Sequence, residues 1–221
     1  MLFRCITEDM AAILNSELFD HLPTDTYLAG GTAVALYMGH RLSFDLDFFT
    51  PNAFDSLALS GTISEALRSR FTIATNQIVD NTLTMGLNET GFSLFRYAYP
   101  LLEDPVFDKD IPTPVASQLD LSLMKLIAIN QRGSCKDFVD LRLLIQSNGY
   151  SFQGLVGELG EKYGIGSEMS LQLKKSLVYF DDAEKDLNVF MYNSDAGEFE
   201  RLEEKTWEAT KMFFQDFLAS E

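Results

Sequence analysis

Gly30-Gly31-Thr32-Ala33-Val34-Ala35-Leu36 and, a few residues on, Ser43-Phe44-Asp45-Leu46-Asp47-Phe48-Phe49 form the stretch whose reading decides the fold. In the second segment Phe44, Leu46 and Phe48 alternate with Ser43, Asp45 and Asp47, and a period of two marks a strand with one polar face. Both carboxylates therefore point the same way. In the first segment Gly30-Gly31 permits a sharp turn that a side chain would obstruct, Thr32 caps the next element, and residues 33–38 form that element, a short helix stopped at Gly39. Residues 25–29 read as a short strand before the turn, so the expected order is strand, Gly-Gly turn, helix, strand.

Upstream, Met10, Ile13, Leu14, Leu18 and Leu22 keep close to the helical period and Pro23 comes next, which predicts one opening helix over 8–22. Downstream, residues 53–70 read as helix and residues 71–79, 82–87 and 92–99 as strands, with Asn88-Glu89-Thr90-Gly91 as a turn, giving an antiparallel meander. The aromatic residues Phe92, Phe95, Tyr97 and Tyr99 have the strand period and read as core rather than as a base-stacking platform. Pro105, Pro112 and Pro114 punctuate an extended connection, then residues 118–130 form a helix with Gly133 as its stop. Ser134 caps a further helix to residue 146, with Asp137 at the capping-box position. Beyond Gly149 the pattern is helical, with candidates over 152–163, 168–179 and 206–218. The expected class is α+β: a mixed or antiparallel sheet core over 1–115, then a helical region over 116–221 that completes the active site as part of one compact unit.

The 221 residues are 46% hydrophobic, enough apolar material for a full core in a soluble globular protein. Asp and Glu number 33 against 17 Lys and Arg, a net charge of -16, so most of the surface repels a phosphate backbone and a polynucleotide must meet a local basic patch. The one adjacent Lys/Arg pair is Lys174-Lys175. Cys5 and Cys135 form no spaced framework, which suits reduced thiols. The longest apolar run, residues 119–129, is interrupted by Asp120 and Lys125, so no membrane span is expected. Glu8 and Asp9 come after Arg4 before any long apolar run, which argues against a signal peptide and for the cytoplasm.

Two carboxylates at i and i+2 on one strand face can reach the same small oxygen-loving cation, Mg²⁺ or Mn²⁺, and leave coordination sites for phosphate oxygens. Alone, an Asp-x-Asp is more often a solvated edge. Here the Gly-Gly-Thr turn upstream adds free backbone N–H groups at a helix N-terminus, where an anionic triphosphate is stabilised. Arg41 is placed to touch phosphate, and His40 reads as a polar loop residue. Lys125 lies among Leu123, Met124, Leu126 and Ile127, where a cation needs an anionic partner or a route to water; a snorkelling surface lysine is the bland alternative. Arg132 and Lys136 return to the face of Lys125 if the helix is continuous, although Gly133-Ser134 argues against that. Lys136 and Asp140 also fit an exposed i,i+4 pair.

Taken with His40-Arg41-Leu42, the first stretch closely resembles the AbiEii/AbiGii toxin family of nucleotidyltransferases. A second block, Asp120-Leu121-Ser122-Leu123-Met124-Lys125 followed by Gln131-Arg132-Gly133-Ser134-Cys135-Lys136-Asp137-Phe138-Val139-Asp140-Leu141, resembles it too, and residues 179–184 and 207–214 do so more faintly. The resemblance implies a polymerase-beta-like nucleotidyltransferase core followed by helices. It also implies the toxin half of a toxin-antitoxin or abortive-infection pair, with a cognate antitoxin, acting on an NTP and an RNA acceptor such as tRNA. By motif, Gly30, Gly31 and Thr32 cradle phosphates, Asp45 and Asp47 bind Mg²⁺, Lys125 neutralises triphosphate charge, and Asp137 or Asp140 completes the second block. Arg41, Ser43, Arg132 and Lys136 join the expected nucleotide contacts.

The pattern departs from the superfamily at one point. A third carboxylate is common on a neighbouring strand, yet residues 92–99 contain none. Asp120, Asp137 or Asp140 substitutes, or two carboxylates suffice, or nucleotide is bound without efficient transfer. Beside RNA transfer there remain a nucleotidyl- or phosphotransferase acting on a protein or small molecule and a non-catalytic nucleotide-binding module.

Overall fold

The computed structural model describes residues 1–219, and the chain divides into two units, Met1–Tyr37 with Ser43–Ser117 and Met38–Leu42 with Gln118–Glu221. The first unit opens with helix α1 (Glu8–Leu14), where the Thr7 hydroxyl accepts the Met10 N–H at 3.1 Å. The single helix expected over 8–22 does not form. It breaks at Asn15-Ser16, because the Ser16 hydroxyl donates to the Ile13 carbonyl at 2.7 Å and competes with the backbone ladder; a 3-10 turn, Glu17–His21, comes after the break.

Strand β1 (Tyr27–Ala29) runs straight into helix α2 (Gly30–Met38), and β2 (Asp45–Thr50) comes next. Helix α3 (Ser56–Leu67) is capped by Asp55, whose carboxylate accepts the Leu57 and Ala58 N–H groups. Strands β3 (Ile73–Val79), β4 (Thr82–Leu87) and β5 (Thr90–Arg96) form the expected meander. The sheet order is β1-β2-β5-β4-β3, with β2 parallel to β5 and the other neighbours antiparallel, so the sheet is mixed.

One face of this sheet is core. Leu46, Phe48, Leu83, Met85, Phe92 and Leu94 are buried on it, as are Leu59, Ile63 and Leu67 of α3, which packs on β3 and β4. Each buried Phe contributes roughly 2–3 kcal/mol. The other face carries Asp45, Asp47 and Phe49 of β2 in register with Gly91, Ser93 and Phe95 of β5, and all six are at least partly exposed. Phe92 and Phe95, both expected in the core, thus separate. An odd offset along a strand puts them on opposite faces, and only Phe92 is core.

In the second unit α4 (Gln118–Gln131) and α5 (Cys135–Asn148) pack together, joined through Gly133 at φ +55°. Helices α6 (Phe152–Tyr163) and α7 (Ser170–Leu177) come next, and α8 (Glu204–Ala219) closes the described chain. The ring of Phe138 meets those of Phe180, Trp207 and Phe214 at 5.2, 6.0 and 5.4 Å. Helices alone were expected beyond Gly149, but a hairpin, β6 (Phe190–Asn193) and β7 (Glu198–Arg201), lies between α7 and α8. Asn193 makes its turn by accepting the Asp195 and Ala196 N–H groups, with Gly197 at φ +75°. Among the described residues no helix is long and apolar enough to cross a membrane.

Candidate active site

The first unit holds the carboxylate pair. Asp47 is in register with Ala29 on one side and Ser93 on the other, and Asp45 with Gly91. Asp45 is exposed and Asp47 partly so. Two glycines back them. Gly30, at φ +68°, turns β1 into α2 with no loop residue, and a Cβ there would stand 2.7 Å from Asp47 Oδ2; a Cβ on Gly91 would overlap Asp45 Oδ1. Gly91 was read only as part of a turn, and this proximity has no sequence signal.

Thr32 is not a helix cap, because α2 already begins at Gly30. Its buried hydroxyl bonds the backbone carbonyl of Asp45 and lies 2.7 Å from Ser43 Oγ, tying the first turn of α2 to the start of β2. Ser43 is buried too, its N–H donating to the Cys5 carbonyl at 2.8 Å. The amides in the first turn of α2 have no acceptor within the helix, which suits an anion.

An oxygen-only pair on one strand face fits a hard divalent cation, and Gly30 and Gly91 let both carboxylates lie where a Cβ would displace them. Among the described residues no group of three or more His, Cys, Asp and Glu is placed to hold a metal, so water and phosphate oxygens would supply the other positions. Gly91 and Ser93 stand where a third carboxylate on β5 would face the pair.

In the second unit Asp140 is the hub of a buried cluster. Arg41 grips it with two bonds, Nε to Oδ1 at 2.7 Å and Nη2 to Oδ2 at 2.8 Å, His40 Nε2 lies 2.8 Å from Oδ1, and Lys125 Nζ 2.7 Å from Oδ2. Lys125 Nζ also donates to Asp137 Oδ1 at 2.8 Å, so the anionic partner that its apolar surroundings demanded is present twice. Arg132, 67% exposed at its side chain, reaches Asp137 at 3.2 Å, and Lys136 is exposed. The alternative exposed Lys136–Asp140 pair is ruled out by the burial of Asp140. Ser134 precedes α5 without a side-chain cap; its hydroxyl donates instead to Asp137 Oδ2 at 2.5 Å.

Burial pushes the Asp140 carboxyl up, but the charges of Arg41 and Lys125, with bonds from Arg41 and His40, outweigh it and hold the group well below the usual carboxylate range. Asp137 is lowered likewise: burial is offset by the charge and bond of Lys125 and by Ser134 and Arg132. Burial lowers His40 despite Asp140 beside it. A neutral ring donating from Nε2 leaves Nδ1 as an acceptor, and that atom is buried with no partner among the described residues. The unexpected hairpin positions this edge: Leu42 N–H donates to the Phe190 carbonyl at 2.9 Å and Tyr192 N–H to the His40 carbonyl at 2.7 Å.

Asp120, a candidate substitute carboxylate, is fully buried 2.6 Å from Lys162 Nζ. Lys162 was missed, although it comes after Leu155 and Leu159 at helical spacing on the buried stripe of α6. Both cysteines are buried thiols outside any disulfide, and burial first, then nearby acidic groups, pushes the Cys135 thiol up to about 12.

Residues 9–100 match the family model described as nucleotidyl transferase AbiEii toxin, type IV toxin-antitoxin system. An uncharacterized protein of Aquifex aeolicus (strain VF5), aq_aa25, is 41% identical over 165 residues, 74% of this chain and 77% of that one. Among solved structures, JHP933 from Helicobacter pylori has a TM-score of 0.55 at 16% identity, covering 97% of this chain and 94% of its own. MenT4, the nucleotidyltransferase toxin Rv2826c of Mycobacterium tuberculosis H37Rv, has a TM-score of 0.50 at 16% identity, covering 96% and 83%. At such identities the two structures share the fold with this chain.

Proposed function

The chain belongs to the AbiEii family of nucleotidyltransferase toxins, and from that premise we propose that it transfers a nucleoside monophosphate from an NTP to the 3′ end of an RNA such as tRNA. The observation that carries this reading is the Asp45–Asp47 pair on one face of β2, with Gly30 and Gly91 leaving room for the two carboxylates themselves. The reaction joins an acceptor hydroxyl oxygen to the α-phosphorus and breaks the bond to pyrophosphate, which leaves. It needs little covalent help and depends on positioning and charge neutralisation.

Asp45 and Asp47 would hold Mg²⁺ or Mn²⁺, which when bound neutralises charge spreading over the phosphoryl oxygens. The first-turn amides of Gly31 and Thr32 face phosphate oxygens, with Gly30 making the corner. Thr32 and Ser43 act through their buried hydroxyls, fixing the carbonyl end of Asp45. Lys125, Arg132 and Lys136 are the cations of the second block; Asp137 and Asp140 hold Lys125 and Arg41 in fixed positions. A cytoplasmic setting and a cognate antitoxin complete the proposal.

The test is incubation with Mg²⁺, each α-phosphate-labelled NTP in turn, and total RNA or cell extract. Label should enter RNA, with a loss on the order of a hundred-fold or more for Asp45→Ala and Asp47→Ala. The net charge of -16 favours a cationic acceptor as the second reading, and label in protein or a small amine would establish it. Nucleotide binding with no label anywhere would leave a binding module.

A further inference from the structure

Two residues past Asp47 on the same side of β2 stands Phe49, in register with Phe95 of β5 and Tyr27 of β1. The rings form a row. Tyr27 stacks on Phe49 at 6.0 Å, Phe95 and Tyr97 lie 5.6 and 5.5 Å from Phe49, and Tyr99 lies 5.2 Å from Tyr97. Tyr27 is buried, Phe49, Phe95 and Tyr97 are half-buried, and Tyr99 is 48% exposed. The larger hydrophobic core of the sheet is on its opposite face, and of this row only Tyr27 is buried. Beside it the same face presents Ser93 of β5 and Thr82 and Thr84 of β4, none of them charged.

We propose that this row is a stacking platform for unpaired nucleobases next to the acceptor's 3′ end. The inference rests on the RNA reading above and narrows it to a single-stranded end taken with little sequence preference. Three observations carry it. Phe49 continues the side of the strand that bears Asp45 and Asp47, roughly 7 Å beyond the second carboxylate, so a strand end held at one reaches the other. Half-exposed rings on a sheet bind any base, because every base has a π-face. And the first unit, like the whole chain, is acidic, so phosphates are poor handles while the neutral base faces remain available.

The experiment is equilibrium binding of a fluorescent single-stranded RNA of about 12 nucleotides, a usual length for sheet-based single-strand binders. The same strand in a blunt duplex is the comparison, and the proteins are wild type, Tyr99→Ala, Tyr99→Phe, Tyr97→Ala with Tyr99→Ala, and Asp45→Ala. The single strand should bind more tightly than the duplex. Tyr99→Ala should weaken it on the order of ten-fold, the double variant further, and Tyr99→Phe should restore it. In the transfer assay the KM for RNA should rise more than kcat falls. Equal binding of strand and duplex, or Tyr variants that bind as wild type, would overturn the platform. Asp45→Ala separates the two ideas: it should lose transfer and keep single-strand binding. Transfer to RNA that ignores both tyrosines removes the platform alone, whereas label only in protein or a small amine, with no RNA bound, removes both.

Discussion

Asp140 accepts from Arg41, His40 and Lys125 inside the second unit, and its removal leaves two buried cations with one counter-charge fewer. Asp140→Asn should cost about 3–5 kcal/mol in urea unfolding, and a loss under about 1 kcal/mol would show that the hub is not structural. The pH dependence has two windows. Asp137 and Asp140 are lowered in the folded state, so their contribution is full above the unfolded value of about 3.9 and lost as pH falls through the folded values. His40 is also lowered, so the unfolded chain gains a proton near pH 6.5 that the buried ring refuses, and stability falls as pH drops below about 6.5. His40→Gln should flatten the thermal midpoint between about pH 7 and 5 and spare the acid limb; an unchanged slope would clear His40 of the role. Near the carboxylate pair, Gly91→Ala should keep the melting temperature and lower kcat by ~10²-fold, because its Cβ displaces the Asp45 carboxylate. Asp45 and Asp47 were legible since alternation puts both on one face. Gly91 and Lys162 were not, because what makes them matter is a partner far away in the sequence.

Periodicity separates the elements that were legible from those that were not. The strands β2, β4 and β5 and the helices α4 to α6 each run long enough to establish a period of two or 3.6. The four-residue strands β6 and β7 do not, and a hairpin of that length is held by its Asn193 turn and by pairing with residues 40–42. The early break after α1 depends on one serine hydroxyl, which composition cannot place. Between elements, the fully buried Asp120–Lys162 pair joins α4 to α6. Asp120→Leu or Lys162→Met alone removes one member of a buried ion pair and should cost about 3–5 kcal/mol, while the two together should cost far less. A double-mutant cycle by chemical denaturation reads the difference. Additive losses would mean that the helices are held by apolar packing alone.

At the scale of the whole molecule, a net charge of -16 sets the sign of every long-range interaction with nucleic acid. That charge is visible in the composition, whereas the grouping of residues 38–42 with the second unit depends on pairing with β6 and has no sequence signature. A protein that holds a single strand through 6–10 phosphate contacts loses roughly 10²–10⁴ in affinity between 50 and 200 mM salt. Base stacking on Phe49, Phe95, Tyr97 and Tyr99 releases few counterions, so here the loss over that range should stay below about ten-fold. Kinetics sharpen the distinction. Like charges slow the encounter, and salt screens them, so the association rate should rise with salt, the reverse of electrostatic steering. Stopped-flow binding of single-stranded RNA across that range reads both quantities at once. An association rate that falls with salt, together with a thousand-fold loss of affinity, would mean that phosphates hold the RNA, and the Lys174-Lys175 pair on α7 would be the first place to look for their contacts.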